Sequence, residues 1–150
     1  MSELKIDSSS RIVGSFSNQT NVSNIQYSGP SFSYGSSSIK NFAFSAKSEN
    51  DTFKISLITD ELKPVGLNSF DQFKLSSYLS NGSNLTNINW LGINKRLGKG
   101  AINIRNEMQA LKKMNLSLFN SYITIKDAVW SIDDKNSILI DSSAITFNNL

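Results

Sequence analysis

Serine and asparagine together fill 45 of the 150 positions, 27 and 18 respectively. Both side chains hydrogen-bond to nearby backbone, which favours turns, caps and strand edges over helix interiors. A chain with that bias is expected to be loop-rich and β-leaning, with few helices. Its hydrophobic share of 39% and charged share of 18% are both lean, yet a chain of this length can still bury roughly 70% of its unfolded surface. One domain over residues 1–150 is the expectation.

Apolar periodicity carries the same message locally. Residues 1–50 read by composition as a Ser-rich arm, with Ser8-Ser9-Ser10, Ser36-Ser37-Ser38 and a Ser28-Gly29-Pro30-Ser31 turn. Within it, however, Phe32 and Tyr34, and then Phe42, Phe44 and Ala46, recur with period two. That spacing suits half-buried strands. The arm is therefore expected to pack on the chain's own core or on a neighbouring subunit. Phe53, Ile55 and Leu57 against Lys54, Ser56 and Ile58 form the clearest strand. Towards the end of the chain, Tyr122–Ile132 and Ser137–Ile140, separated by Asp133-Asp134-Lys135-Asn136, read as an antiparallel hairpin.

Two segments read as short helices. Over about 69–79, Asn68 or Ser69 offers a cap and Asn81-Gly82 a stop. Over about 106–114, Asn106 and Gln109 are spaced as a capping box, and Glu107 suits the helix start. Met108, Leu111 and Met114 follow at helical spacing. The expected class is α+β and β-rich: an antiparallel sheet or compact β-sandwich carrying one or two short helices.

The chain contains no histidine and no cysteine. Cys/His zinc sites and Ser-His-Asp or Cys-His nucleophile arrangements are excluded by composition, and no catalytic residue, metal or cofactor is assigned. The stretch Gly92–Gly100 resembles a phosphate loop but has five residues between its first two glycines and no hydroxyl after Lys99. Carboxylate chemistry stays open. The adjacent pairs Asp60-Glu61 and Asp133-Asp134 sit where strands give way to turns, and neighbours on a strand point to opposite faces.

Charge is unevenly placed. Residues 95–113 carry Lys95, Arg96, Lys99, Arg105, Lys112 and Lys113 against Glu107 alone. Such a cluster suits phosphates, with Trp90 upstream as a stacking group. Set in Ile88-Asn89-Trp90-Leu91, the same tryptophan also reads as a core strand residue. The residues point to a non-catalytic binding or assembly protein whose basic segment contacts nucleic acid or an anionic membrane surface, with self-association a further option. A composition rich in Asn, Lys, Ile and Phe fits an AT-rich source such as a virus, phage, parasite or low-GC bacterium, and a viral or phage structural or accessory protein is the expectation. The alternatives are a protein-binding inhibitor or effector and a carboxylate-only glycan hydrolase. With no signal-like start and no run of about 18 apolar residues, the expected place is the cytoplasm, of a host cell if viral, or the virion.

Overall fold

The computed structural model describes residues 3–67, 69–92, 98–110 and 113–149. Strands account for 75% of the described residues, and there is no helix among them. In chain order the strands are β1 (Leu4–Ile6), β2 (Arg11–Ser17), β3 (Val22–Tyr34), β4 (Ser37–Glu49), β5 (Thr52–Lys63), β6 (Phe70–Ser80) and β7 (Ser83–Gly92). They continue as β8 (Gly100–Ala110), β9 (Lys113–Leu118), β10 (Ser121–Ile125), β11 (Ala128–Ile132), β12 (Ser137–Ile140) and β13 (Ile145–Asn148). All thirteen belong to one antiparallel sheet. From β3 to β9 it is a meander of strand neighbours. Both of its ends fork: β3 is shared between β1 and β2, and β8 between β10 and β9.

The asparagines explain why the chain can turn so often. Among the described residues ten non-glycine residues have positive φ, and eight of them are Asn or Asp, the residues that tolerate the left-handed region best. Asn50-Asp51, Asn81-Gly82 and Lys126-Asp127 each supply two successive positive-φ residues between paired strand ends. That is the type I′ geometry whose twist matches a two-residue hairpin.

Both expected helices are strands, so the fold is all-β and not α+β. Residues 69–79 fall almost wholly in β6, where Phe73, Leu75 and Leu79 lie along one face and Lys74, Ser76 and Tyr78 along the other. Asn81-Gly82 closes a hairpin there and stops no helix. In the 106–114 segment, Met108 and Met114 look like helical neighbours but are cross-strand partners of β8 and β9. The final hairpin is also re-paired. β11 pairs with β10, whereas β12 pairs with β9 and β13. The Ser-rich N-terminal third forms β1 to β4, all hydrogen-bonded into the sheet.

A transverse crease crosses the sheet. By register, Pro30, Asn41, Asp60, Gln72 and Trp90 stand in one line over β3 to β7, and regular pairing lapses along it. Asn41 and Gln72 take positive φ there, and β6 and β7 slip register between Asp71 and Lys74. Side-chain bonds replace the missing ladder. Asn41 Nδ2 donates to Asp60 Oδ2 at 2.7 Å. The fully buried Thr59 hydroxyl is shared between the carbonyls of Lys40 (2.5 Å) and Glu61 (3.0 Å).

A single layer has little interior. Trp90 is the one large hydrophobic side chain buried among the described residues. Its ring meets Phe70 edge-on at 5.7 Å, its Nε1 donates to the Gly98 carbonyl at 3.1 Å, and its indole lies over Gly100. The other buried residues, Thr59, Ser121 and Asn136, use short polar side chains to continue backbone ladders. The accessible surface is 10338 Å², roughly 2,700 Å² more than size scaling gives for a compact chain of this mass. Because a Cβ at Gly100 would overlap the Trp90 indole, Gly100→Ala should destabilise the fold by about 1–3 kcal/mol. Urea denaturation with tryptophan fluorescence checks this.

Candidate functional site

Directly opposed residues on neighbouring strands share a face, so the registers define what each face displays. The central row runs Ile12, Tyr27, Phe44, Leu57, Leu75, Ile88, Ile102 across β2 to β8, with no interruption. The next row on the same face includes Ile25, Ala46, Ile55, Ile104 and Leu118. The row beyond it includes Phe16, Phe53, Leu79, Leu116, Ile138 and Phe147. Three polar side chains on this face satisfy one another. Ser77 Oγ, Thr86 Oγ1 and Asn84 Oδ1 form a closed trio at 2.8–3.1 Å.

The crease keeps this face continuous. Phe70 touches both Phe73 and Trp90, although strict alternation would put residues three apart on opposite faces. The left-handed Gln72 between them shifts the phase by one. Ile6, Phe32, Ile39 and Leu62, which share a row with Phe70, therefore join the apolar face. Outside the crease, none of the Lys, Arg, Asp or Glu residues of β1 to β9 lies on it.

Those charges all fall on the opposite face. They number nine cations (Lys5, Arg11, Lys40, Lys47, Lys54, Lys63, Lys74, Arg105 and Lys113) against four carboxylates (Glu49, Glu61, Asp71 and Glu107). The excess makes this face cationic. Lys47, Lys54, Tyr78 and Arg105 share one row, and the Lys54 ammonium stands 5.6 Å over the Tyr78 ring. An open hollow of about 420 Å³ indents this face, floored by Ser28, Ala43, Ser45 and Ser56 and edged by Arg11, Gln26 and Ile58.

The basic segment expected from sequence is only partly assembled here. Arg105 lies on β8 with its guanidinium 5.1 Å over Phe119, and Lys113 opens β9. Lys99 shares a hollow of about 210 Å³ with Lys74 and Tyr122. Lys95, Arg96 and Lys112 lie outside the described residues. Trp90 is buried, its indole against Gly100, at the wall of the hollow that holds Lys74 and Lys99. Arg11, Lys47, Lys54 and Lys74, far apart in sequence, are the cations that strand pairing gathers. The signal for them was their placement at the polar positions of alternating runs.

The paired acids are engaged locally. Asp60 accepts from Asn41, and Glu61 from Lys40 at 2.6 Å. Asp133 and Asp134 line a hollow beside Tyr122, where their Oδ1 atoms accept from the backbone of Lys135 (2.8 Å) and Asn120 (2.6 Å). No group of three or more potential metal-ligating carboxylates occurs among the described residues. No helix long and apolar enough to cross a membrane is present there either. No family model, curated protein or solved structure matches the chain.

Four carboxyls are held below their ordinary values, which are 4.5 for Glu and 3.8 for Asp. For Glu61 and Glu49 the main cause is the hydrogen bond from Lys40 and Lys47 respectively, followed for Glu49 by the lysine's charge. For Asp7 it is the Ser9 hydroxyl and then the Ser9 N–H, and for Asp141 the Ser143 N–H and then its hydroxyl. A carboxyl depressed in the folded state stabilises it above the unfolded pKa, and that stability is lost as pH falls. Thermal stability should therefore hold at neutral pH and decline once pH drops below 4.5, through the Glu pair first and then the Asp pair. Each step is small at such exposed sites. Melting curves between pH 7 and 3 check this, and Glu61→Gln should flatten the upper part of the decline.

Proposed function

We propose that this chain is a non-catalytic binding protein whose ligand is the acyl portion of a lipid, held against the charge-free sheet face. The single observation that carries the reading is the unbroken central row from Ile12 to Ile102, on a face where β1 to β9 place no ionised group outside the crease and over which no second layer lies among the described residues. Exposed apolar patches beyond a few hundred Å² mark interaction sites. A protein partner would bring about one hydrogen bond per 100–200 Å². The central row offers it only the Tyr27 hydroxyl, already bonded to Ser10 at 3.0 Å. Acyl chains need no such partner. The described sheet is open at both edges, and unpaired strand edges are not tolerated in hydrocarbon. This favours lipid coming to the sheet over the sheet entering the bilayer.

The cationic opposite face favours a second, compatible contact. Anionic headgroups, or a nucleic-acid backbone, would be held there by Arg11, Lys47, Lys54, Lys74 and Arg105, with affinity falling as salt rises.

A matched pair of substitutions tests the principal reading. Leu57→Lys places a charge in the central apolar row, and Ser56→Lys places the same charge one residue away on the polar face. Transfer of palmitate or phosphatidylglycerol from donor vesicles should fall at least tenfold with Leu57→Lys and stay at or above the parent value with Ser56→Lys. Equal effects, or no transfer by the parent chain, would refute it.

A further inference from the structure

Among the described residues, the two large hydrophobic side chains most exposed to solvent sit together on one edge strand: Ile12 at 74% and Phe16 at 73%, both on β2. Both belong to apolar-face rows whose inner members are half covered by their neighbours. At β2 the covering stops because no strand lies beyond it among the described residues. Along all seven residues of β2, only the β3 side is hydrogen-bonded.

Natural edge strands are guarded by proline, lysine, a bulge or an inward-pointing charge. β2, Arg-Ile-Val-Gly-Ser-Phe-Ser, has none of these, and its register with β3 runs unbroken from Arg11 to Ser17. Its only charge, Arg11, stands at the strand's end and on the polar face. The strand is also self-complementary about its centre. A two-fold axis through Gly14, normal to the sheet, would set Ile12 against Phe16, Val13 against Ser15 and Arg11 against Ser17 of a second copy. No like charges meet in that register. Each Ile12–Phe16 pair is an aliphatic–aromatic contact of the kind that stabilises antiparallel strands, and Gly14 leaves open space beside both phenylalanines.

We infer that β2 is a pairing edge at which a second copy of this chain adds antiparallel, β2 to β2, giving one longer sheet with a continuous apolar face. The axis is normal to the sheet, so apolar face meets apolar face, and the contact is closed and isologous, the commonest form of oligomer. The other strands paired on one side only, β1, β11 and β13, are three, five and four residues long and offer shorter ladders. The pairing is independent of lipid, since it uses the edge and leaves the face open.

The absence of native cysteine makes the geometry directly readable. In the proposed register Gly14 faces itself, with Cα atoms about 4.5–5.5 Å apart, inside the span a disulfide bridges. Gly14 lacks positive φ, and a Cβ there meets nothing closer than the Asn24 carbonyl at 3.8 Å, so Gly14→Cys should fold. Mild oxidation should convert it to a covalent dimer. Ser17→Cys, about 20 Å from its own copy by strand rise, should stay monomeric on the same gel. In sedimentation equilibrium, the double variant Ile12→Lys/Phe16→Lys should weaken self-association at least tenfold while its β circular dichroism is kept. Equal cross-linking at both positions, none at Gly14→Cys, or unchanged association of the double lysine variant would overturn the pairing. So would a parent chain that is monomeric at every concentration.

Discussion

A single β-sheet has two faces and no inside, and everything in this structure follows from how the chain manages that. Side chains alternate strictly along a strand, so the phase of the alternation decides which face a residue joins, and a slip of one residue would exchange the faces. The crease at Asn41 and Gln72 makes that slip on purpose and in step across neighbouring strands. Because β3 to β6 keep register across the crease while β6 and β7 slip by one residue, the apolar set below the crease is continued by Ile39, Leu62 and Phe70 above it. Without the shift, Lys40, Glu61 and Asp71 would interrupt the apolar face.

The same constraint accounts for the unusual composition. A layer with no opposing layer cannot bury large side chains, and Trp90 shows what burial requires here: a glycine beneath the ring and an aromatic edge beside it. Elsewhere, short polar groups do the joining. Asn136 bridges to both the N–H and the carbonyl of Leu118, and Ser121 accepts from the N–H of Asn103. Asparagine also supplies the left-handed turns. Abundant Ser and Asn are thus the material of the architecture, not a sign of a disordered arm.

The sequence made the β-leaning character and the strand at 52–59 readable, because Phe53, Ile55 and Leu57 have no competing period. It misled at 69–79 and 106–114 for a specific reason. Phe70 and Phe73, and Met108, Leu111 and Met114, are spaced by three. One spacing arises from the phase shift at Gln72, and in the other Met108 and Met114 face each other across the β8–β9 pairing. Neither is visible without the register. The site was legible only in part. The run at 95–113 stood out because its cations are adjacent in sequence, whereas Lys47, Lys54 and Arg105 become neighbours only through pairing. The charge-free face was hidden for the same reason, since its rows cross the strands.

The claim most worth testing is that acyl chains meet one face of the sheet and not the other. Methyl-selective NMR with a nitroxide-labelled fatty acid reads this directly, because aliphatic side chains occur on both faces. Methyls of Leu57, Leu75, Ile88 and Ile102 should broaden, and those of Val13, Ile58 and Leu85, which the registers place on the polar face, should stay sharp. Equal broadening of both sets, or broadening confined to the second, would contradict the two-faced reading.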